Sequence, residues 1–179
     1  MTFDPDKHHR RSIRLKGYDY SRASAYFVTV CTHGRECLFG EVMDGDMRLN
    51  DAGQAAQAEW VQLPERFQFI ELDEFVIMPN HLHGIILVGA GLAPPDGGAP
   101  NRGAASSAPT LGNILRAFKS ISAIAVNRLL GRSGRSLWQR NYYEHIVRNE
   151  NELAHIREYI ANNPAQWALD RENPNYVGA

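Results

Sequence analysis

Two apolar runs, "FQFIELDEFVIM" from Phe67 and "HLHGIILVG" from His81, are parted only by Pro79-Asn80. Both are rich in β-branched and aromatic residues, and the proline cannot continue a ladder, so they read as two strands. More than any other feature, this pair commits the chain to a sheet. The second run carries His81 and His83 with Leu82 between them. Two imidazoles in so apolar a segment bring four ring nitrogens that need partners. On a strand, side chains at i and i+2 share a face, so the histidines project together and Leu82 goes to the other side. Two imidazoles side by side are a bidentate start for a divalent metal site. A single histidine there would read better as a core residue satisfied by backbone. A catalytic site needs further ligands and an actor as well.

The remaining elements follow from local signals. "AYFVTVCT" (Ala25–Thr32) reads as a strand, and Asp44-Gly45-Asp46 joins two short apolar pieces as a hairpin. Asn50–Pro64 reads as an Ala-rich helix with a polar start. Thr110 is placed to cap a second helix. Its apolar row is Leu111, Ile114, Leu115, Phe118, Ile121, Ile124, Ala125 and Leu129, and a polar, cationic row opposite includes Arg116 and Lys119. "SLWQRNYYEHIV" reads as a strand or extended segment. Asn149 with Glu152 opens a last helix that Pro164 ends. Between residues 89 and 110, Gly, Pro, Ala and Ser dominate, as in a flexible linker. The order β, β-hairpin, α, β, β, linker, α, β, α predicts an α+β sandwich, a mostly antiparallel sheet with helices over one face. A chain of 179 residues fits one domain, 1–179, with a basic N-terminal arm over 1–22 and the linker at 89–110.

Composition excludes some classes. No apolar run is long enough to span a bilayer and the polar start is no signal peptide, so a cytoplasmic protein without a membrane partner is expected. Cys31 and Cys37 are too few for a disulfide framework and lack paired metal spacing, so reduced thiols are expected. The net charge of -1 conceals a segregation. Residues 1–35 carry seven Lys/Arg against three Asp, and 36–75 carry ten acids against two Arg. Residues 111–148 then carry seven basic residues against Glu144. Such segments can form one electropositive face for a nucleic acid, or merely solvated helix faces.

The last helix can complete the histidine pair. Tyr159 and Asn163 stand four apart, hence on one face. Asn163 offers an amide oxygen to a hard cation such as Mg²⁺ or Mn²⁺. Equally, Tyr159 borders the apolar stripe of Leu153, Ile156 and Ile160, and Asn162-Asn163-Pro164 can be a plain helix terminator. Spacing alone leaves both readings open.

H-U-H on a strand (U apolar) with a downstream Y-x-x-x-[N/Q] helix resembles the single-strand HUH tyrosine transposases of insertion sequences. Within them the chain is most similar to the REP-associated tyrosine transposases, those linked to repetitive extragenic palindromes. "RRSIRLKGYDYS", "AYFVTVCTHGRECLFG", "FVIMPNHLHGIIL", "LWQRNYYEHIVRNENEL" and "YIANNP" carry the likeness over most of the chain. It implies a ferredoxin-like, RNA-recognition-type fold, with His81, His83 and Asn163 as metal ligands and Tyr159 as nucleophile. Many relatives have Gln where Asn163 stands. It further implies a divalent metal, Mg²⁺ or Mn²⁺, and single-stranded DNA with palindromic, REP-like hairpins as partner. Such proteins act as homodimers or as monomers. The expected activity is cleavage and rejoining of DNA through a 5′-phosphotyrosine. A catalytically silent nucleic-acid-binding regulator on the same fold, and a phosphodiesterase using water, are the rivals.

Tyr142 and Tyr143 are rival nucleophiles. With Trp138, Gln139 and Arg140 they mix aromatics and cations in a way that suits stacking on single-stranded bases, or an inward-packed sheet face. Arg140 and Tyr142 are expected DNA contacts, as are Arg116 and Lys119 on the long helix. Arg10, Arg11, Arg14 and Lys16 form an arm suited to holding a DNA hairpin. His145 and His155 receive no role.

Overall fold

A computed structural model describes residues 24–89 and 109–176. The central sheet is built from β1 (Ser24–Cys31), β4 (Ile70–Met78), β5 (His81–Val88) and β6 (Tyr143–Val147), ordered β4-β5-β1-β6 with every neighbouring pair antiparallel. A separate hairpin pairs β2 (Gly40–Met43) with β3 (Asp46–Leu49). Its turn places Asp44 and Gly45 at positive φ, the primed-turn geometry that Asp-Gly favours. Helices α1 (Asp51–Val61) and α3 (Leu111–Leu129) link the sheet strands, a short turn α2 (Leu63–Arg66) follows α1, and α4 (Glu150–Asn162) closes the chain before a 3-10 segment, Pro164–Leu169. Over the four-stranded sheet this is β-α-β-β-α-β, the ferredoxin-like arrangement. The expected α+β class and element order hold.

Pleat alternation divides the sheet into two faces. Tyr26, Val28, Val30, Leu82 and Ile86 meet α1 and α3 in the larger core, around Trp60 and Phe118. Phe27 and Ile85 point the other way, against Leu153, Ile156 and Ile160 of α4. Helices α1 and α3 thus cover one face as expected, and α4 adds cover to the opposite one. Gly84 lets the larger core close, because a Cβ there would lie 2.5 Å from Cζ2 of Trp60.

Caps fall where the sequence puts them. Asn50, Thr110 and Asn149 each accept a hydrogen bond from the backbone amide three residues on. The first helix, however, ends at Val61, and Pro64 lies inside the next turn, where a missing N–H costs nothing. The buried stripe of α3 is Leu111, Ile114, Leu115, Phe118, Ser122 and Val126, whereas Ile124 and Leu129 face solvent. Ser122 turns inward because its hydroxyl donates to the Phe118 carbonyl and accepts the Trp138 indole N–H. That bond seats Trp138 in the core, so the inward-packed reading holds for it. The N-terminal arm, including Arg10, Arg11, Arg14 and Lys16, and linker residues 90–108 lie outside the described residues.

Candidate metal and nucleophile site

Register sets the site. His81 pairs with Cys31 and His83 with Thr29 across β5 and β1, so all four share the α4 face while Leu82 sinks into the larger core. The imidazole centroids stand 4.5 Å apart, and both rings are buried. Each histidine has a partner behind it. Asn80 Oδ1 lies 2.9 Å from His81 Nδ1, and Thr29 Oγ1 lies 2.8 Å from His83 Nδ1. The Asn80 amide can take only one orientation, because its Nδ2 donates to the carbonyls of Arg35 and Glu172 at 3.1 and 2.6 Å. Its oxygen must therefore accept, His81 Nδ1 must carry the proton, and His81 Nε2 is left with a bare lone pair. For His83, the Nδ1–H tautomer likewise presents Nε2 to the site.

Helix α4 brings its residues to the same place. Tyr159 Oη stands 3.3 Å from His83 Nε2, and its ring is held edge-on by Phe27, which also stacks on His83. Asn163 caps the helix and is almost wholly buried. Sequence reasoning missed Asp170, which follows the 3-10 segment and folds back so that its Oδ2 lies 3.7 Å from His81 Nε2 and 3.5 Å from Asn163 Nδ2. The ligand atoms of His81, His83 and Asp170 all lie within 4.8 Å of one another. Nothing periodic marks Asp170, whose place depends on the turn after Pro164. Thr29 and Asn80 were missed as well, since their roles appear only once register is known.

Electrostatics favour lone-pair donors. Burial pushes the His81 imidazole down to about 4, only partly opposed by Asp170 and the Asn163 amide. Burial, reinforced by His81, carries His83 well below its ordinary value. Both rings are neutral at pH 7. His81 Nε2 and Asn163 Oδ1 are buried and have no hydrogen bond among the described residues. Two orphaned acceptors beside a carboxylate are costly unless a cation joins them, so the donor set fits a divalent metal held by His81, His83, Asp170 and Asn163.

The other expected residues lie elsewhere. Tyr143, on β6, pairs with Thr29 of β1 and packs by Phe27, where burial, with the Glu152 charge adding to it, raises its phenol above the ordinary value. Tyr142 packs on the larger core. Arg116 is exposed on α3, a helix on the sheet face away from the histidines. Lys119 Nζ donates to the carbonyls of Gln139 and Arg140 at 2.5 and 2.9 Å, and Arg140 itself is exposed. Cys31 Sγ donates to Glu172 Oε2 at 3.6 Å, and burial pushes its thiol far up, so it stays protonated. Both cysteines are free. Among the described residues no helix is long and apolar enough to cross a membrane.

No family model matches the chain. It is 42% identical over 171 residues to an uncharacterised protein of Haemophilus influenzae, covering 92% of this chain and 93% of that one. Among solved structures it is similar to a REP-associated tyrosine transposase bound to a REP hairpin. The TM-score is 0.57 at 19% identity, over 86% of this chain and 74% of that one. A candidate transposase from Deinococcus radiodurans superposes more loosely, with a TM-score of 0.47 at 18% identity over 83% of this chain and 96% of that one. The chain therefore belongs to one family with the Haemophilus influenzae protein and has the fold of a REP-associated tyrosine transposase.

Proposed function

We propose that this protein is a divalent-metal-dependent transposase and endonuclease that cleaves and rejoins single-stranded, hairpin-bearing DNA through Tyr159. The observation that carries the reading is the Tyr159 hydroxyl 3.3 Å from His83 Nε2, beside the orphaned acceptors of His81 and Asn163. A structural neighbour bound to a REP hairpin supports a palindromic substrate.

His81, His83 and Asp170 would hold the cation, with Asn163 as a further oxygen donor. Two imidazoles with oxygen ligands suit Mn²⁺ better than Mg²⁺, which prefers an all-oxygen shell. Bound there, the metal would neutralise charge on the scissile phosphate and open phosphorus to attack. Thr29 and Asn80 hold the imidazoles with Nε2 forward, and Phe27 fixes the Tyr159 ring against His83. In the reaction, Tyr159 Oη forms a bond to phosphorus and the bond to the 3′-oxygen breaks. The phenol loses its proton and the leaving 3′-oxygen gains one. Attack by another 3′-hydroxyl reverses these changes and releases Tyr159, so no external energy source is consumed. Arg140 and Arg116 are exposed cations available to phosphates, and pairing into a homodimer is compatible with the chemistry.

The test is a denaturing gel after incubation with Mn²⁺ or Mg²⁺ and a single-stranded hairpin oligonucleotide. A covalent protein–DNA species is expected, abolished in Tyr159→Phe. An adduct that survives that change but is lost in Tyr142→Phe or Tyr143→Phe would move the nucleophile. Cleavage without an adduct would point to water as the nucleophile. DNA binding with neither would leave a regulator.

A further inference from the structure

Helix α4 carries Tyr159, is capped by Asn163 and lays an apolar stripe on the sheet. Leu153, Ile156 and Ile160 meet Phe27 and Ile85, with Ala25, Val76, Tyr143 and Val147 packed around them. Apolar contact is non-directional, so it does not by itself fix how far the helix is turned or slid over the strands. Two polar side-chain contacts act at its flanks. Arg157 reaches Asp73 on β4 with a two-pronged contact, Nε to Oδ1 at 2.9 Å and Nη2 to Oδ2 at 2.5 Å. Glu152 reaches His145 on β6 at 2.8 Å, and its other oxygen accepts the Arg148 amide at 2.7 Å. Strands β4 and β6 are the opposite edges of the sheet, and the two histidine ligands stand on β5 between them.

The Asp73 anchor is built into the backbone. The β4–β5 register shifts between Leu72 and Phe75, a bulge that keeps both of those side chains on the larger core. Asp73 is turned to the α4 side and braced by accepting the Glu74 amide at 2.7 Å. Arg157, two residues before Tyr159, meets it with a planar fork that fixes direction as well as distance.

We infer that the Arg157–Asp73 and Glu152–His145 contacts tether α4 to the two sheet edges and make these four positioning residues for Tyr159 and Asn163. The inference rests on the site proposed above. Adduct formation should be sensitive to it, because misplacement of a reacting group by about 1 Å can cost on the order of a hundredfold in rate.

The experiment compares native protein with Asp73→Asn, Arg157→Gln and Arg157→Lys. Three readouts are needed: adduct formation rate at saturating hairpin DNA, DNA affinity, and Mn²⁺ affinity by calorimetry without DNA. The first two variants should slow adduct formation about tenfold or more and weaken Mn²⁺ binding, with DNA affinity and circular dichroism unchanged. Arg157→Lys keeps the charge but loses the fork, so it should fall between. Native rates and Mn²⁺ affinity in both Asp73→Asn and Arg157→Gln would overturn the inference. So would losses that merely track a fall in DNA affinity or melting temperature. If the native protein forms no adduct, the nucleophile assignment fails, and Mn²⁺ affinity alone then decides the tether: unchanged values sink it.

Discussion

Asn80 controls more than its size implies. By donating twice to backbone carbonyls it has only its oxygen left for His81, and this decides which imidazole nitrogen keeps a lone pair. Removing the amide in Asn80→Ala would free His81 to protonate Nε2 instead. Mn²⁺ affinity should then drop about 10- to 100-fold, the usual cost of losing a partner behind a ligand. Calorimetry would read it directly, and an unchanged affinity would show that the tautomer is set otherwise. At this scale spacing gave direction, putting His81 beside His83 and Tyr159 in line with Asn163, because H-x-H on a strand and an i,i+4 pair on a helix have fixed consequences for direction; the roles expected of them came from the family resemblance. It was silent on Asp170 and Thr29. One depends on how the chain turns after Pro164, the other on which residue of β1 lands opposite His83, and neither is a local property.

Among the elements, α4 shows what local pattern can and cannot tell. Its cap at Asn149, its stop near Pro164 and its apolar stripe were all legible. The edges to which it is tied were not, since the Asp73 contact depends on a bulge in a strand some eighty residues away. The stripe of α3 was misjudged in part for a related reason: Ser122 is buried through a bond to Trp138, which propensity does not register. The Asp73 contact also has a pH signature. Hydrogen bonds from Arg157, chiefly, hold the Asp73 carboxyl below its ordinary value despite partial burial. Its folded pKa is therefore lower than the unfolded value of about 3.9, so the unfolded chain binds the proton more readily. The stabilisation is complete above that unfolded value and is lost as pH falls through the folded one. Urea midpoints measured from pH 5 down to pH 3 should fall more steeply for native protein than for Asp73→Asn. Parallel curves would mean that the contact contributes nothing to stability.

For the whole molecule, the sheet separates two tasks. One face, with α1 and α3, supplies most of the apolar core, and the other gathers the donors beneath α4. Binding of a cation at residues drawn from β5 and from beyond α4 is available only to the folded chain, so it should raise stability by mass action. Mn²⁺ at a hundred times its dissociation constant would add about 2.7 kcal/mol. The melting temperature should rise with Mn²⁺, fall back with chelator, and stay fixed in a His81→Ala/His83→Ala double variant. A rise that persists in that variant would place the ion elsewhere. The alternation of Leu82 between its two neighbours has a further consequence for fidelity. A slip of β5 by one residue would expel Leu82 from the core, forfeiting about 2 kcal/mol, and drive two imidazoles into hydrocarbon in its place. The packing that discards such a mispaired sheet is purely apolar, yet it proofreads the aim of both imidazoles every time the chain folds.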